Sequence, residues 1–440
     1  MFWHNHPNRA PTGVPMSPTP TSSPVIVSAV LASVLVGLAL LGLASDAGAA
    51  EPRKHKPTPP PAAAAATPAP PAAPASAFPT TETVAQFAYI LDANTGAVLL
   101  DKNAEDRMFP SSMTKMMTAY IVFDKLQKGE LRMEDQFAVS EDAWRRGGAK
   151  SDSSTMYLDL NSRPTVEQLI QGMVVQSGND ACIVLAQGIS GSEEAFADEM
   201  NRRAKAMGMR DTNFRNATGY PDPDHWSTAH DLAILAKHSI EDHPDYYKYY
   251  AEKEYTYNGI KQGNRNPLLY KSLGVDGLKT GHTEAAGYGL TVSAVREGGR
   301  RIIMVLNGLP TIKVRSQESE RLLDWAYREF EDVNLFKTGD TVDNVDVWLG
   351  NAKSIALVAA APLTVTLPRK SRREMKVTEL YATPINAPIR KGDQLAKLVI
   401  TAPGVDPVEL PLVSNADVDR LGAMGRLGAA VSYLVFGSGR

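Results

Sequence analysis

The stretch Pro110-Ser111-Ser112-Met113-Thr114-Lys115-Met116-Met117-Thr118 decides how the rest of this 440-residue chain is read. It contains a Ser-x-x-Lys. Residues three apart share a helix face, so a helix beginning near Ser112 brings the Lys115 amine within reach of the Ser112 hydroxyl. A serine is a poor nucleophile at neutral pH, and a lysine whose pKa is lowered by desolvation or a neighbouring cation can take its proton. The same residues also suit an ordinary helix start, with Ser111 or Ser112 as N-cap. No glycine or proline interrupts Ser112 to about Lys128. That predicts a buried helix with the serine in its first turn, where backbone N–H groups and the helix dipole favour a developing oxyanion.

Upstream, Phe87-Ala88-Tyr89-Ile90-Leu91 and Ala97-Val98-Leu99-Leu100 flank Asp92-Ala93-Asn94-Thr95-Gly96 and read as a β-hairpin leading to Ser112. Downstream, Val166, Leu169, Ile170 and Met173 repeat with helical spacing. A polar Ser177-Gly178-Asn179 then separates this helix from a second apolar one beginning near Ala181. By itself that tripeptide suits a turn, with Ser177 or Asn179 capping the second helix. Cys182, the single cysteine, reads as a small buried core residue. Further on, Val275 to Thr283 contains Lys279-Thr280-Gly281 and precedes Tyr288 to Val295 and Ile302 to Leu306, read as neighbouring strands of one antiparallel sheet. A Lys-Thr-Gly on an edge strand offers an ammonium, a hydroxyl and close backbone approach at the glycine.

The overall balance, 43% hydrophobic and 22% charged with a net charge of -3, is that of a soluble globular protein of two or more domains. There is no basic run of the kind that tracks phosphates, which argues against nucleic acid as a partner. At the amino end, Pro24 to Leu43 is uncharged and apolar and is followed by Ala47-Gly48-Ala49-Ala50. By pattern this is an export signal cleaved near Ala49, and its length also suits a retained membrane anchor. Residues 1–50 are thus a signal or membrane segment. Residues 51–80, mostly proline and alanine, form an extended linker that cannot bury a core. Past Phe330 the pattern shifts to short β-type runs: Val342 to Leu349, Ile355 to Val358, Leu363 to Leu367, Lys376 to Tyr381, Gln394 to Ile400 and Val408 to Val413. They predict a small all-β, sandwich-like domain over 334–415, without metal-ligand spacing. The last segment, 416–440, is a candidate amphipathic tail for a membrane surface, weakened by glycines at 422, 425, 428 and 437 and by Arg420 near Leu427 and Val431 on a helical wheel.

Ser112-x-x-Lys115, Ser177-Gly178-Asn179 and Lys279-Thr280-Gly281 form an ordered trio on helix, loop and strand, separated by 65 and 102 residues. With Asp276 to Thr283 and Glu318-Ser319-Glu320-Arg321-Leu322-Leu323, the chain resembles the penicillin-binding protein and serine β-lactamase superfamily, and within it the low-molecular-mass D-alanyl-D-alanine carboxypeptidases. The resemblance runs from about Thr83 to Asn415. It implies an α/β (α+β) transpeptidase-like catalytic domain over 81–333, with an antiparallel sheet flanked by helices, and a hydrolase that trims peptidoglycan stem peptides without metal or cofactor. It further implies Ser112 as nucleophile, Lys115 as base, Ser177 as proton relay, Asn179 as a positioning amide and Lys279 as a fixed cation. The N–H groups of Ser112 and His282 would hold the oxyanion, and Thr280 and Arg315 would receive the substrate carboxylate beside Gly281 and Thr283. β-Lactams would be covalent inhibitors. One departure is His230, where many relatives have arginine, which raises the prospect of an altered anion pocket. Alternatives are a DD-endopeptidase, a β-lactamase or a non-catalytic wall-binding protein. The class A lactamase reading lacks its deacylating glutamate, since no Glu occurs from Asn201 to Ile240.

Overall fold

Period-two alternation builds the central sheet. In β1 (Phe87–Asp92) and in Arg301–Leu309, successive side chains point to opposite faces, and both faces are apolar. Ala88, Ile90, Ile302, Met304 and Leu306 join one core, and Tyr89, Leu91, Ile303 and Val305 join another. The sheet must therefore be covered on both sides. The computed structural model describes residues 81–436; the expected export segment at 1–50 and linker at 51–80 lie outside the described residues.

In chain order, β1 turns into β2 (Val98–Lys102), and a 3-10 turn, Ser111–Thr114, runs into helix α1 (Lys115–Gln127). Ser112 thus sits one turn ahead of the α-helix, in the tighter turn, and neither Ser111 nor Ser112 is a cap, the cap positions being Pro110 for the 3-10 turn and Thr114 for α1. Helices α2 (Glu141–Gly147), α3 (Val166–Val175), α4 (Asn179–Ser190), α5 (Glu193–Met207), α6 (Ala229–Glu241) and α7 (Pro244–Tyr247) follow. Next come a small hairpin of β3 (Glu254–Tyr257) and β4 (Ile260–Gly263), then β5 (Val275–Thr283), β6 (Gly287–Val295) and β7 (Arg301–Leu309). The five-stranded antiparallel sheet has the order β2-β1-β7-β6-β5, so Lys279-Thr280-Gly281 lies on an edge strand, as the sequence predicts. Helix α8 (Ile312–Glu329) covers one face through Leu322, Leu323, Trp325 and Ala326; the helices around α1 cover the other. Eleven of the thirteen residues of α1 are buried. A helix buried on nearly every side is a domain centre, and it carries Lys115 into the interior with it.

The remaining strands are β8 (Phe330–Phe336), β9 (Thr341–Trp348), β10 (Ser354–Ala359), β11 (Leu363–Pro368), β12 (Lys376–Tyr381), β13 (Ile385–Asn386), β14 (Gln394–Ala402) and β15 (Val405–Ser414). A six-stranded sheet, β12-β14-β15-β10-β9-β13, and the pair β11-β8 share one apolar core containing Leu357, Leu367, Leu398 and Leu412. Six of these strands match the predicted runs. β8 and β13 do not: β8 carries adjacent Glu331 and Asp332 and no clean alternation, and β13 is two residues long. Arg300 joins the two regions, with its Nε 2.7 Å from Asp92 and 3.1 Å from Asp332. Asp332 also accepts from Thr366, whose hydroxyl lies 2.5 Å from that of Thr95.

The chain closes with α9 (Ala423–Phe436). Arg420 precedes this helix and makes a β-bridge with Gly350, so it does not interrupt the helix face as a continuous wheel would have it. Met424, Leu427 and Val431 are exposed, at i, i+3 and i+7.

Candidate active site

Lys115 Nζ is the point of convergence. It donates to Ser112 Oγ at 2.9 Å, to Asn179 Oδ1 at 2.7 Å and to the carbonyl of Thr218 at 2.6 Å. The first contact comes from the three-residue spacing; the others cross 64 and 103 residues of chain. Each partner has a local cause. Asn179 opens α4 immediately after Ser177 and Gly178, and its amide donates to Ser153 at 3.1 Å. The Thr218 carbonyl is aimed by an Asx turn in which Asn216 Oδ1 accepts from the backbone N–H groups of Thr218, Gly219 and Tyr220. Gly219 has φ +81°, and a Cβ there would lie 1.8 Å from the Ser111 carbonyl, so only glycine lets this loop touch the Ser111–Thr114 turn.

Burial sets the chemistry of the amine. Lys115 is 1% exposed, and desolvation lowers its pKa to about 8, assisted by the positive charge of Arg265. Lys279, also buried, is pushed well below its usual value by desolvation and by Lys115. Its Nζ donates to the Thr280 carbonyl at 3.2 Å, and no hydrogen bond joins it to Ser177. Ser177 has φ +68°, and its buried Oγ has no hydrogen-bond partner among the described residues. Cys182 is fully buried, as expected, and burial raises its thiol to about 12.

The opposite wall is β5. A Cβ on Gly281 would lie 2.9 Å from the Pro110 carbonyl, so the strand passes directly against the nucleophile turn. Thr283 Oγ1 reaches Ser111 Oγ at 3.2 Å. The His282 ring stacks on Tyr288 with centroids 3.9 Å apart, and the Arg315 guanidinium lies 5.8 Å from the same Tyr288 ring. Arg315 is 6% exposed, its Nε has no partner, and burial lowers its pKa to about 10. It makes no ion pair among the described residues.

Ser112, Ser177, Asn179, Thr280, Gly281, His282, Thr283 and Arg315 all line one cleft of about 620 Å³. Lys115 and Lys279 lie beneath its surface. A larger cleft of about 890 Å³ lies between the two regions, but its lining has no serine, cysteine or histidine, so size does not identify the site. Sequence reading passed over Ser153, Thr218, Tyr220 and Arg265, which also line the catalytic cleft. Arg265 donates to Ser154 at 2.5 Å. It sits in Asn264-Arg265-Asn266, where no periodicity marks it. Asp180 was legible only as part of the stretch after Ser-Gly-Asn; buried, it accepts from Thr155 Oγ1 and from the N–H groups of Met156, Leu158 and Ala181, and so anchors the loop behind Ser153. His230 is not among the residues lining the cleft. Its Nδ1 is 3.1 Å from Glu105 and its ring meets Tyr89 edge-on.

A buried amine on a serine hydroxyl, beside unpaired cations, can support acyl transfer from a substrate ending in a carboxylate. Comparison with known proteins agrees. The profile of the family described as D-alanyl-D-alanine carboxypeptidase matches residues 72–309, more than half of the chain. The chain belongs to the D-alanyl-D-alanine carboxypeptidase family. Residues 330–420 of this carboxypeptidase match the C-terminal domain of penicillin-binding protein 5. It is 39% identical over 348 residues to the D-alanyl-D-alanine carboxypeptidase DacA of Haemophilus influenzae, covering 79% of this chain and 88% of that one. Its fold is similar to the crystal structure of penicillin binding protein 5 from Haemophilus influenzae, with TM-score 0.69 and 38% identity, covering 78% of this chain and 99% of that one. It is also similar to Penicillin-Binding Protein D2 from Listeria monocytogenes in the cefotaxime-bound form, with TM-score 0.51 and 29% identity, covering 56% of this chain and 98% of that one. The carboxypeptidase is thus a serine-type hydrolase of a bacterial cell-wall family.

Proposed function

We propose that the enzyme removes the terminal D-Ala from peptidoglycan stem pentapeptides through an acyl-enzyme on Ser112. Lys115, in its neutral form, takes the Ser112 proton as the oxygen attacks the carbonyl of the D-Ala-D-Ala bond. The N–H groups of Ser112 and His282 hold the oxyanion. Ser177 relays a proton to the departing amine, so D-Ala leaves and the acyl-enzyme remains. Water then attacks the ester, and the regenerated Ser112 hydroxyl closes the cycle. Asn179 keeps Lys115 aimed at Ser112, and Lys279, beneath the cleft, supplies positive charge in its protonated form. Thr280 and Arg315 receive the terminal carboxylate, with Gly281 and Thr283 shaping the wall where it sits. The observation that carries this reading is the Lys115 amine, buried, 2.9 Å from Ser112 Oγ and without a carboxylate partner.

Several finer features belong to the same proposal. β-Lactams acylate Ser112, supported by the cefotaxime-bound relative. The protein is exported and works on the outer face of the cytoplasmic membrane or in the periplasm, supported by the apolar segment Pro24 to Leu43. Catalysis belongs to residues 81–333, and residues 334–415 hold that domain away from a membrane contacted by 416–440. The exposed Met424, Leu427 and Val431 support the last point.

The test is intact-protein mass spectrometry after brief exposure to penicillin, beside Ser112→Ala, with D-Ala assayed from a stem pentapeptide. A stable adduct and D-Ala release, both lost in the variant, are expected. Penicillin consumed without a lasting adduct would mark a β-lactamase instead.

A further inference from the structure

We infer that the basic turn between β11 and β12 is a docking surface for the carboxylate-bearing stem peptides of the cell-wall polymer, separate from the catalytic cleft. The partner's identity rests on the peptidoglycan reading above; the surface does not.

The sequence contains no long basic run, yet Arg369, Lys370, Arg372, Arg373 and Lys376 place five cations within eight residues, and all five are exposed. Arg369 and Arg372 share one acid, Glu331, at 3.2 and 3.4 Å. Lys370, Arg373 and Lys376 form no ion pair among the described residues. In a chain with net charge -3, this is a local reversal of sign. The turn is also held firmly. Ser371 is buried and donates to the Pro403 carbonyl at 2.9 Å, and Arg369 Nε donates to the Arg328 carbonyl at the end of α8, also at 2.9 Å. A turn whose backbone is anchored through Arg369 and Ser371 loses less freedom on binding than a loose loop.

Directly after the turn, β12 is the outer strand of its sheet, paired with β14 on one side, and it exposes Val377, Leu380 and Tyr381. A cluster of cations beside exposed apolar side chains, Val377 and Tyr381 on one face of β12 and Leu380 on the other, suits a peptide that carries both carboxylates and alanine methyls. The alternative partner of such a surface, an anionic lipid, fits the topology less well. The tail α9 leaves from Arg420, which bridges Gly350 just past β9, whereas β12 is the opposite edge of the same sheet. The basic turn therefore sits at the sheet edge away from the tail. Single exposed pairs are weak, but a polymer presents many copies of the same stem, and simultaneous contacts at the turn and the cleft multiply.

The experiment uses the full chain carrying Ser112→Ala, so that the polymer is not trimmed, and measures co-sedimentation with purified peptidoglycan. The comparison is with a second protein that also carries Lys370→Glu, Arg373→Glu and Lys376→Glu. A loss of at least about tenfold in affinity is expected, together with weakening of the parent's binding by salt and by chemical amidation of the polymer's carboxylates. With Ser112 restored, the charge-reversed enzyme should release D-Ala from a soluble pentapeptide at the parental rate, and more slowly from intact polymer. Equal sedimentation of the two proteins, or parental binding unaffected by amidation, would overturn the inference. So would unchanged peptidoglycan binding with lost binding to phosphatidylglycerol vesicles, which would assign the turn to lipid. Failure of the carboxypeptidase assay in the parent would count against the proposed activity, and the sedimentation result would still stand.

Discussion

The cleft beside Ser112 and the C-terminal β-domain differ in how many buried cations and polar atoms they leave without a partner. In the β-domain the buried polar side chains Thr366, Ser371 and Ser414 each have a hydrogen-bond partner, and among the described residues there Glu379 Oε1, on the edge strand β12, is the buried side-chain oxygen without one. Around the cleft, Lys115, Lys279 and Arg315 are buried without a carboxylate partner, and Ser177 Oγ and Arg315 Nε have no hydrogen-bond partner, among the described residues. Each unsatisfied buried group costs about 1–3 kcal/mol. A fold tolerates that cost where a substrate supplies the missing partners, and the surrounding apolar burial on α1 compensates. The same burial that destabilises the Lys115 cation makes its amine a base near neutral pH. In the β-domain no buried lysine or arginine occurs among the described residues, so no amine there is turned into a base by burial.

The sharpest way to break this contrast is Lys115→Ala. Acylation by penicillin and release of D-Ala should both fall about 10³–10⁴-fold, measured by stopped-flow and D-Ala assay, because the proton acceptor is gone. Wild-type activity in that variant would put the base elsewhere. The sign of the pH dependence follows from the same group. Lys115 accepts a proton only when neutral, and its pKa is lowered to about 8, so the acylation rate should rise as pH climbs through about 8 and level off above it. An ordinary lysine would instead keep rising toward its unperturbed pKa of about 10.4.

The converse change lies in the other region. Leu412→Ala, in the core of the β-domain, should cost about 2–5 kcal/mol in urea unfolding while native protein keeps its penicillin acylation rate. A parallel loss of acylation would show that the two regions are not independent. Next in size is Arg315→Ala. It should lower kcat/KM about 10–100-fold for a peptide ending in a free carboxylate and leave the C-terminal amide analogue unchanged. The smallest effect belongs to the exposed pair Lys397 and Glu409, 2.7 Å apart, where Lys397→Ala should shift stability by less than about 1 kcal/mol and activity not at all.

What could be read from sequence tracks the range of the interaction. The hairpin before Ser112, the helices on either side of Ser177-Gly178-Asn179, the edge strand with Lys279 and six strands of the β-domain all show local periodicity, and each is found where that periodicity puts it. β8 escaped because its adjacent acids break the alternation. The tail shows the opposite failure: Arg420 spoils a helical wheel only if the helix includes it, and the bridge to Gly350 stops the helix short. Arg265, Ser153 and the Thr218 carbonyl were invisible because they carry no pattern of their own, and their importance comes from where distant loops meet.

The sequence by itself determined the pairing of Ser112 with Lys115, since a three-residue spacing on a helical turn is geometry that needs no other part of the chain. It also determined the order of the three motifs along the chain. Only the tertiary structure decided that Asn179 and Thr218 close around the Lys115 amine, that Arg315 enters the cleft without a counter-ion, and that His230 stays outside it. Desolvation is the physical reason: a lysine's pKa depends on how much water the whole fold removes from around it, and no local spacing carries that quantity.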